Sequence, residues 1–280
     1  MADLEASGPS RRRALWVMGA AAGLAALGAD GVHHSAAAAR PGGAVGPAPT
    51  PTPVPPPSPT PTPTPTPTPR LPPWTQGTLT ATTTPVRNLT ELVPPPPPNS
   101  IALTIDDGPH PQWTPRVLDL LDEHQIKATF FIIGVQVDEF PKLARRIADH
   151  GHQVCNHTMN HPDLSNATAK KVQKEIVEAH HKIAEVTGIV PTFFRAPGGG
   201  WSKRVYETIA EHGMLPIDWA VDPRDWERPG VGSIRRTLVG STAGQILLCH
   251  DGGGDRSQTL GALKGAIPKL KKKGFTFTAL

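Results

Sequence analysis

From Pro47 to Pro69 the chain is almost pure proline–threonine alternation, and Pro94 to Pro98 is a run of prolines. Proline has no N–H to donate and a locked φ, so such a segment favours an extended polyproline II spacer over helix or sheet. At ~3.1 Å per residue the Pro–Thr part alone would reach roughly 70 Å. No apolar residues recur there to build a core. Residues 40–99 are therefore expected to be a disordered Pro/Thr-rich linker. A globular domain has to come from residues 100–280, one domain's worth of chain.

Ahead of the linker, Arg11, Arg12 and Arg13 precede an apolar run from Ala14 to Leu27, and the small-residue stretch Ala36 to Ala39 follows. This is the order of a secretory signal cut after Ala39, so residues 1–39 are expected to be a signal peptide. Ser10 and Leu15 also fit a loose twin-arginine signal. The other reading is a retained membrane anchor, for which the Ala- and Gly-rich run is short. The expected location is secreted or cell-wall associated, and a long spacer suits a protein held away from, or threaded through, a wall.

Charge excludes little. The segment before residue 99 holds six of the 28 basic and four of the 24 acidic side chains, which leaves a net of +2 on the rest. No nucleic acid partner is expected, and no obligate protein partner is inferred, so the chain is read as a monomer. Lys271 to Lys273 reads as a solvated helix end. Cys155 and Cys249 both sit beside polar motifs. Export permits a disulfide between them, and two buried free thiols are the other reading.

Within residues 100–280 short apolar runs alternate with helical patterns. Strands are expected at 101–105, 128–133, 153–155, 193–194, 214–221, 245–249 and 275–280. Helices are expected at 114–124, 141–150, 165–187, from Ser202 to about 212, at 234–238 and at 260–273. Alternating units with apolar strands imply a parallel sheet with helices outside it. About seven repeats suggest an α/β fold, a single distorted (β/α) barrel. Catalytic groups of such barrels gather at the C-terminal ends of the strands.

The polar residues fall there. Asp106 and Asp107 follow the first strand, His157 and His161 the third, Arg195 the fourth, Asp222, Asp225 and Trp226 the fifth, and His250 and Asp251 the sixth. His157 and His161, four apart, would share one face of a helical turn and could hold a cation, although two surface histidines would have the same spacing. A carboxylate from another strand end would complete a three-ligand site with open positions, which suits catalytic zinc and also non-haem iron. Adjacent residues leaving a strand point in different directions. One of Asp106 and Asp107 can bind the metal while the other takes a proton, unless the Asp-Gly-Pro sequence is only a turn and helix cap. His250 can act as an acid, oriented by Asp225, and Arg195 can hold the base.

These residues, in this order, make the domain resemble the polysaccharide deacetylases of carbohydrate esterase family four, the NodB-homology domain. Thr104 to Gly108 is similar to the family's first motif, which implies Asp106 as base and Asp107 as metal ligand. His157 to His161 is similar to the second and implies the other two ligands. Arg195-Ala-Pro197 is similar to the third, whose Arg orients the base. Asp222 to Trp226 is similar to the fourth, which implies that Asp225 tunes the catalytic His and that Trp226 lines the acetyl pocket. Leu248-Cys-His250 is similar to the fifth, with Leu248 in the pocket and His250 as acid. One position departs: Gly198 stands where the family usually has Tyr, a residue whose backbone N–H helps hold the oxyanion.

The resemblance implies a zinc-dependent hydrolase, with cobalt or nickel able to substitute. It would act on a cell-wall or chitin-type polysaccharide and remove acetyl groups from N-acetylglucosamine-type residues. Two alternatives stand beside this reading. One is an esterase acting on acetylated xylan. The other is a non-catalytic carbohydrate-binding protein of the wall.

Overall fold

The computed structural model describes residues 79–94 and 96–280. The expected signal peptide and most of the expected linker lie outside the described residues. Among the described residues no helix is long and apolar enough to cross a membrane.

Seven strands form one parallel sheet. They are β1 (Ser100–Asp106), β2 (Thr129–Ile132), β3 (Gln153–Asn156), β4 (Phe193–Phe194), β5 (Leu215–Pro216), β6 (Ile246–His250) and β7 (Thr276–Phe277). The order is β5-β4-β3-β2-β1-β6, with β7 paired to the start of β1. Past β5 the chain swings back so that Val221 pairs with Leu247 of β6, which joins the two ends of the sheet and curls it into the expected distorted barrel. The helices are α1 (Thr114–Glu123), α2 (Gly134–Glu139), α3 (Pro141–Asp149), α4 (Ala169–Thr187), α5 (Lys203–Glu211), α6 (Val231–Val239) and α7 (Ser257–Lys272). The crossover from β3 to β4 runs through α4, which starts at its Thr168 cap, later than expected, and ends at Gly188 in the left-handed region.

Side chains alternate across each strand, and the alternation is what aims the site. Leu103, Ile105, Phe130, Ile132, Val154, Leu247 and Cys249 face the outer core under the helices. Ala102, Phe131, Cys155, Phe193 and Ile246 face the interior. Continuing the interior set by twos reaches Asp106, His157, Arg195 and His250 at the strand ends. Cys155 and Cys249 are both buried free thiols on opposite faces of the sheet, so no disulfide joins them.

The expected strand over 214–221 is broken up. Ile217 pairs with Val86 and Val221 with Leu247, so this run changes partner twice and makes no continuous ladder. The partner Val86 lies in the stretch expected to be disordered linker. The packed domain therefore begins before residue 100. Asn88 pairs with Gln245, and Leu89, 1% exposed, fills the barrel interior with Leu280 at the N-terminal ends of the strands. Proline-rich composition concealed these few apolar anchors.

Candidate active site

β1 carries Asp106, and its side chain is buried at the barrel's C-terminal end. Arg195, fully buried one residue past β4, reaches across to it: Nη1 donates to Asp106 Oδ1 at 2.7 Å and to Thr104 Oγ1 at 2.8 Å, while Nη2 donates to the Asp218 carbonyl at 2.9 Å. The guanidinium lies over the Phe131 ring, 4.1 Å from its centroid. A planar fork clamped in this way fixes the carboxylate it holds.

Strict alternation would turn Asp107 away from the interior. Its φ of 75° reverses the chain instead and brings the carboxylate over the strand ends. Gly252 makes this possible, because a Cβ there would stand 2.0 Å from the Asp107 carbonyl oxygen. Asp107 Oδ1 then lies 3.5 Å from His157 Nε2 and 3.2 Å from His161 Nε2. Burial pushes the Asp107 carboxyl up, but the two imidazoles and His250 more than reverse this and leave it well below the usual carboxylate range.

The stretch from His157 to His161 is a loop, not the helical turn expected from the spacing. Side chains and a distant carbonyl take the amides that a helix would use. Thr158 N–H donates to Asn156 Oδ1, His161 N–H to Thr158 Oγ1, Met159 N–H to the Glu175 carbonyl and Asn160 N–H to Glu175 Oε2. Thr158 and His161 are left-handed. The loop still sets the two imidazoles 4.9 Å apart between ring centroids.

A cation fits between these three groups. His157 Nδ1 lies 2.8 Å from the Arg195 carbonyl, so that nitrogen carries the proton and Nε2 presents a lone pair. Asp107 Oδ1 is buried and receives no hydrogen bond. Ligand atoms of Asp107, His157 and His161 all lie within 4.8 Å of one another. One carboxylate oxygen and two imidazole nitrogens this close together form a donor set that can share a cation.

Among the described residues one other Asp/His/His group is as close, namely Asp122, His150 and His152 at the opposite end of the strands. There His150 Nδ1 pairs with Asp122 at 2.7 Å, and His152 Nδ1 accepts the Ala128 N–H at 3.2 Å. Burial, with Lys127 beside it, brings His152 down to about 4 and keeps it neutral. Its lone pair is committed to the backbone, so this group is structural.

His250 closes β6 beside Asp106, its register partner across the β1–β6 ladder. Asp225 Oδ1 lies 2.7 Å from His250 Nδ1, and Asp225 Oδ2 accepts the His250 N–H at 2.9 Å and the Thr259 hydroxyl at 2.7 Å. Burial by itself would lower the His250 imidazole, but the Asp225 hydrogen bond and charge, with Asp107 and Asp106 beyond, push it up to about 9. Asp251, buried behind it, is pushed up to about 7 by burial and accepts the Thr114 hydroxyl at 2.6 Å.

Leu248 is buried one alternation before His250. Trp226 stands 48% exposed on the short turn that Asp225 opens, with the Arg224 guanidinium over its ring. Asp222 caps the Arg224 N–H within that turn. Gly198 sits at φ 60° in the turn over Pro197–Gly199, where a Cβ would meet nothing within 4 Å. Thr104, inside the first motif, supports Arg195, while Thr259 and Asp218 support the site with no local pattern to mark them, since each acts on a residue distant in the chain.

An α/β barrel that gathers a candidate metal triad and two separately held proton-transfer groups at its strand ends is built as a hydrolase. Residues 94–217 match the polysaccharide deacetylase family model. The chain is 44% identical over 183 residues to a peptidoglycan-N-acetylglucosamine deacetylase of Bacillus cereus, covering 64% of this chain and 85% of that one. It is 42% identical over 193 residues to a chitooligosaccharide deacetylase of Sinorhizobium fredii, covering 65% and 90%. A solved peptidoglycan N-acetylglucosamine deacetylase in complex with an N-hydroxybenzamide ligand superposes with a TM-score of 0.63 at 34% identity, covering 65% of this chain and 86% of that one. The chain belongs to the polysaccharide deacetylase family and is an enzyme of that class.

Proposed function

We propose that this chain is an exported, metal-dependent deacetylase that hydrolyses the N-acetyl amide of N-acetylglucosamine-type residues in peptidoglycan or a chitin-like polysaccharide. One observation carries the reading. Asp106 and His250 are register partners on adjacent strands beside the Asp107, His157 and His161 group, and each is held by its own buried partner. Two proton-transfer groups with separate partners, beside a cation site, are what amide hydrolysis needs. The names of the relatives support the sugar, and the amino-terminal segment supports export.

Asp107, His157 and His161 would hold the ion, with zinc the default for this ligand set and cobalt or nickel able to replace it. When bound there, it supplies Lewis acidity and lowers the pKa of water. Asp106 takes the proton from the attacking water, and Arg195 keeps its carboxylate aimed. The Gly198 N–H helps hold the developing oxyanion, while Leu248 and Trp226 wall the acetyl group. His250 Nε2 gives its proton to the leaving amine nitrogen as the carbon–nitrogen bond breaks. Asp225 holds the other ring nitrogen, so the donor faces the substrate. Acetate and a free amino sugar result.

Acetate release by the wild type and by Asp106→Asn, measured on N-acetylglucosamine oligomers, peptidoglycan and acetylated xylan, tests this reading. The expected result is release from the first two that Asp106→Asn abolishes. Release from xylan alone would replace the amide reading with an ester one.

A further inference from the structure

Arg195 grips the Asp106 carboxylate, and its charge also acts on a second carboxylate, Asp218. Nη1 holds Asp106, while Nη2 already touches the backbone oxygen of Asp218. Asp218 is 5% exposed, and burial pushes its carboxyl up, opposed first by the charge of Arg195 and then by that of Arg87. Arg195 Nε is buried without an acceptor, so this guanidinium has a donor left to give. A buried carboxylate without a counter-ion would compete with Asp106 for it.

Asp218 does have a counter-ion. Arg87 Nη2 lies 3.1 Å from its Oδ2, the one ion pair that Asp218 makes among the described residues. The backbone holds Arg87 there. Val86 N–H donates to the Pro216 carbonyl at 2.9 Å, and Asp218 N–H donates to the Val86 carbonyl at 2.7 Å, so the segment is stitched to both sides of Ile217. The strap thus reaches the run whose Asp218 carbonyl grips Arg195.

We propose that Arg87 is a positioning residue for deacetylation: it occupies the Asp218 carboxylate and so leaves Arg195 to Asp106. The Arg87 side chain pairs with Asp218 and not with Asp107, His157 or His161, and it acts through Arg195. The inference rests on the reading of Asp106 as the base. It also makes a stretch outside the five motifs part of what the reaction requires.

The test uses the full chain with Arg87→Ala, Arg87→Lys, Asp218→Asn and the double variant Arg87→Ala/Asp218→Asn. Turnover and KM for acetate release, metal content and thermal midpoint are measured for each. Partners that orient a functional group typically matter by about 10–100-fold, and the exposure of Arg87 places it near the lower end. Arg87→Ala should lose about tenfold in kcat with KM and metal content unchanged, and Arg87→Lys should keep most of the activity. The double variant should recover to within about twofold of Asp218→Asn, because an amide no longer competes for Arg195.

A merely structural pin predicts the opposite, since losing either partner would break it and the double variant would recover nothing. Wild-type kcat in Arg87→Ala, or a double variant no better than Arg87→Ala, overturns the proposal. Asp106→Asn keeps the two readings apart. If it retains wild-type turnover, the base assignment fails whatever the Arg87 series shows.

Discussion

The carbonyl oxygen of Arg195 lies 2.8 Å from Nδ1 of His157. One residue therefore orients both halves of the site: its guanidinium grips Asp106 and its backbone fixes the tautomer of an imidazole facing Asp107. The two roles separate by substitution, because the carbonyl survives a change of side chain. Arg195→Lys should retain the metal yet lose about 10–100-fold in turnover, since an ammonium cannot bridge Asp106 and the Asp218 carbonyl as the fork does. His157→Ala should lose metal and activity together. Elemental analysis beside acetate release checks both, and an empty site in Arg195→Lys would contradict the division.

The acid limb of the reaction belongs to His250, pushed up to about 9 chiefly by Asp225 against the lowering effect of burial. An acid works while protonated, so kcat/KM should hold to near pH 9 and fall above it. Asp225→Asn removes the main source of the rise and should carry the limb down toward the ordinary histidine value near ~6.5. The same shift acts on stability. The folded-state value is the higher one, so the pair's contribution is fully present below about pH 6.5 and is lost as pH rises through about 9. The thermal midpoint of the wild type should fall across that window more than that of His250→Gln. A basic limb that Asp225→Asn leaves in place would remove His250 from the role.

Much of this site was legible because β-strand alternation and the strand-end rule act locally. Ile101 to Asp106 shows a strand with a carboxylate at its end, and the same holds for Cys155 with His157, Phe193 with Arg195 and Cys249 with His250. What stayed hidden depends on partners far along the chain. The His157–His161 spacing looked helical because nothing local shows Glu175 taking the Met159 and Asn160 amides. The run 214–221 looked like one strand because nothing there shows that Val86 and Leu247 divide it. Val86, Arg87 and Leu89 were masked by the prolines around them.

The strap gives a stability prediction of its own. Burying one leucine contributes on the order of 1.5–3 kcal/mol, and Leu89 is buried in the barrel interior. A chain beginning at Pro97 should therefore unfold at a lower midpoint than one beginning at Leu79. Equal midpoints would show that the strap docks without stabilising.

Gly198, where the family usually has Tyr, is left-handed here, with open space where a Cβ would stand. Gly198→Tyr would meet no clash but would strain the turn by about 1–2 kcal/mol. Both kcat and kcat/KM should fall, by roughly tenfold, and Gly198→Asn should fall less because Asn tolerates this region. A gain in turnover with Tyr would contradict the geometry of the turn.

Deacetylation should depend on an ion held by Asp107, His157 and His161. A zinc titration of the chelator-stripped full chain, following bound metal and acetate release from N-acetylglucosamine oligomers together, measures this. The stripped protein should release no acetate, and activity should rise linearly with added zinc to a plateau at one equivalent. His161→Ala should bind no stoichiometric zinc. Full activity in the stripped protein, or one tightly bound zinc in His161→Ala, would contradict it.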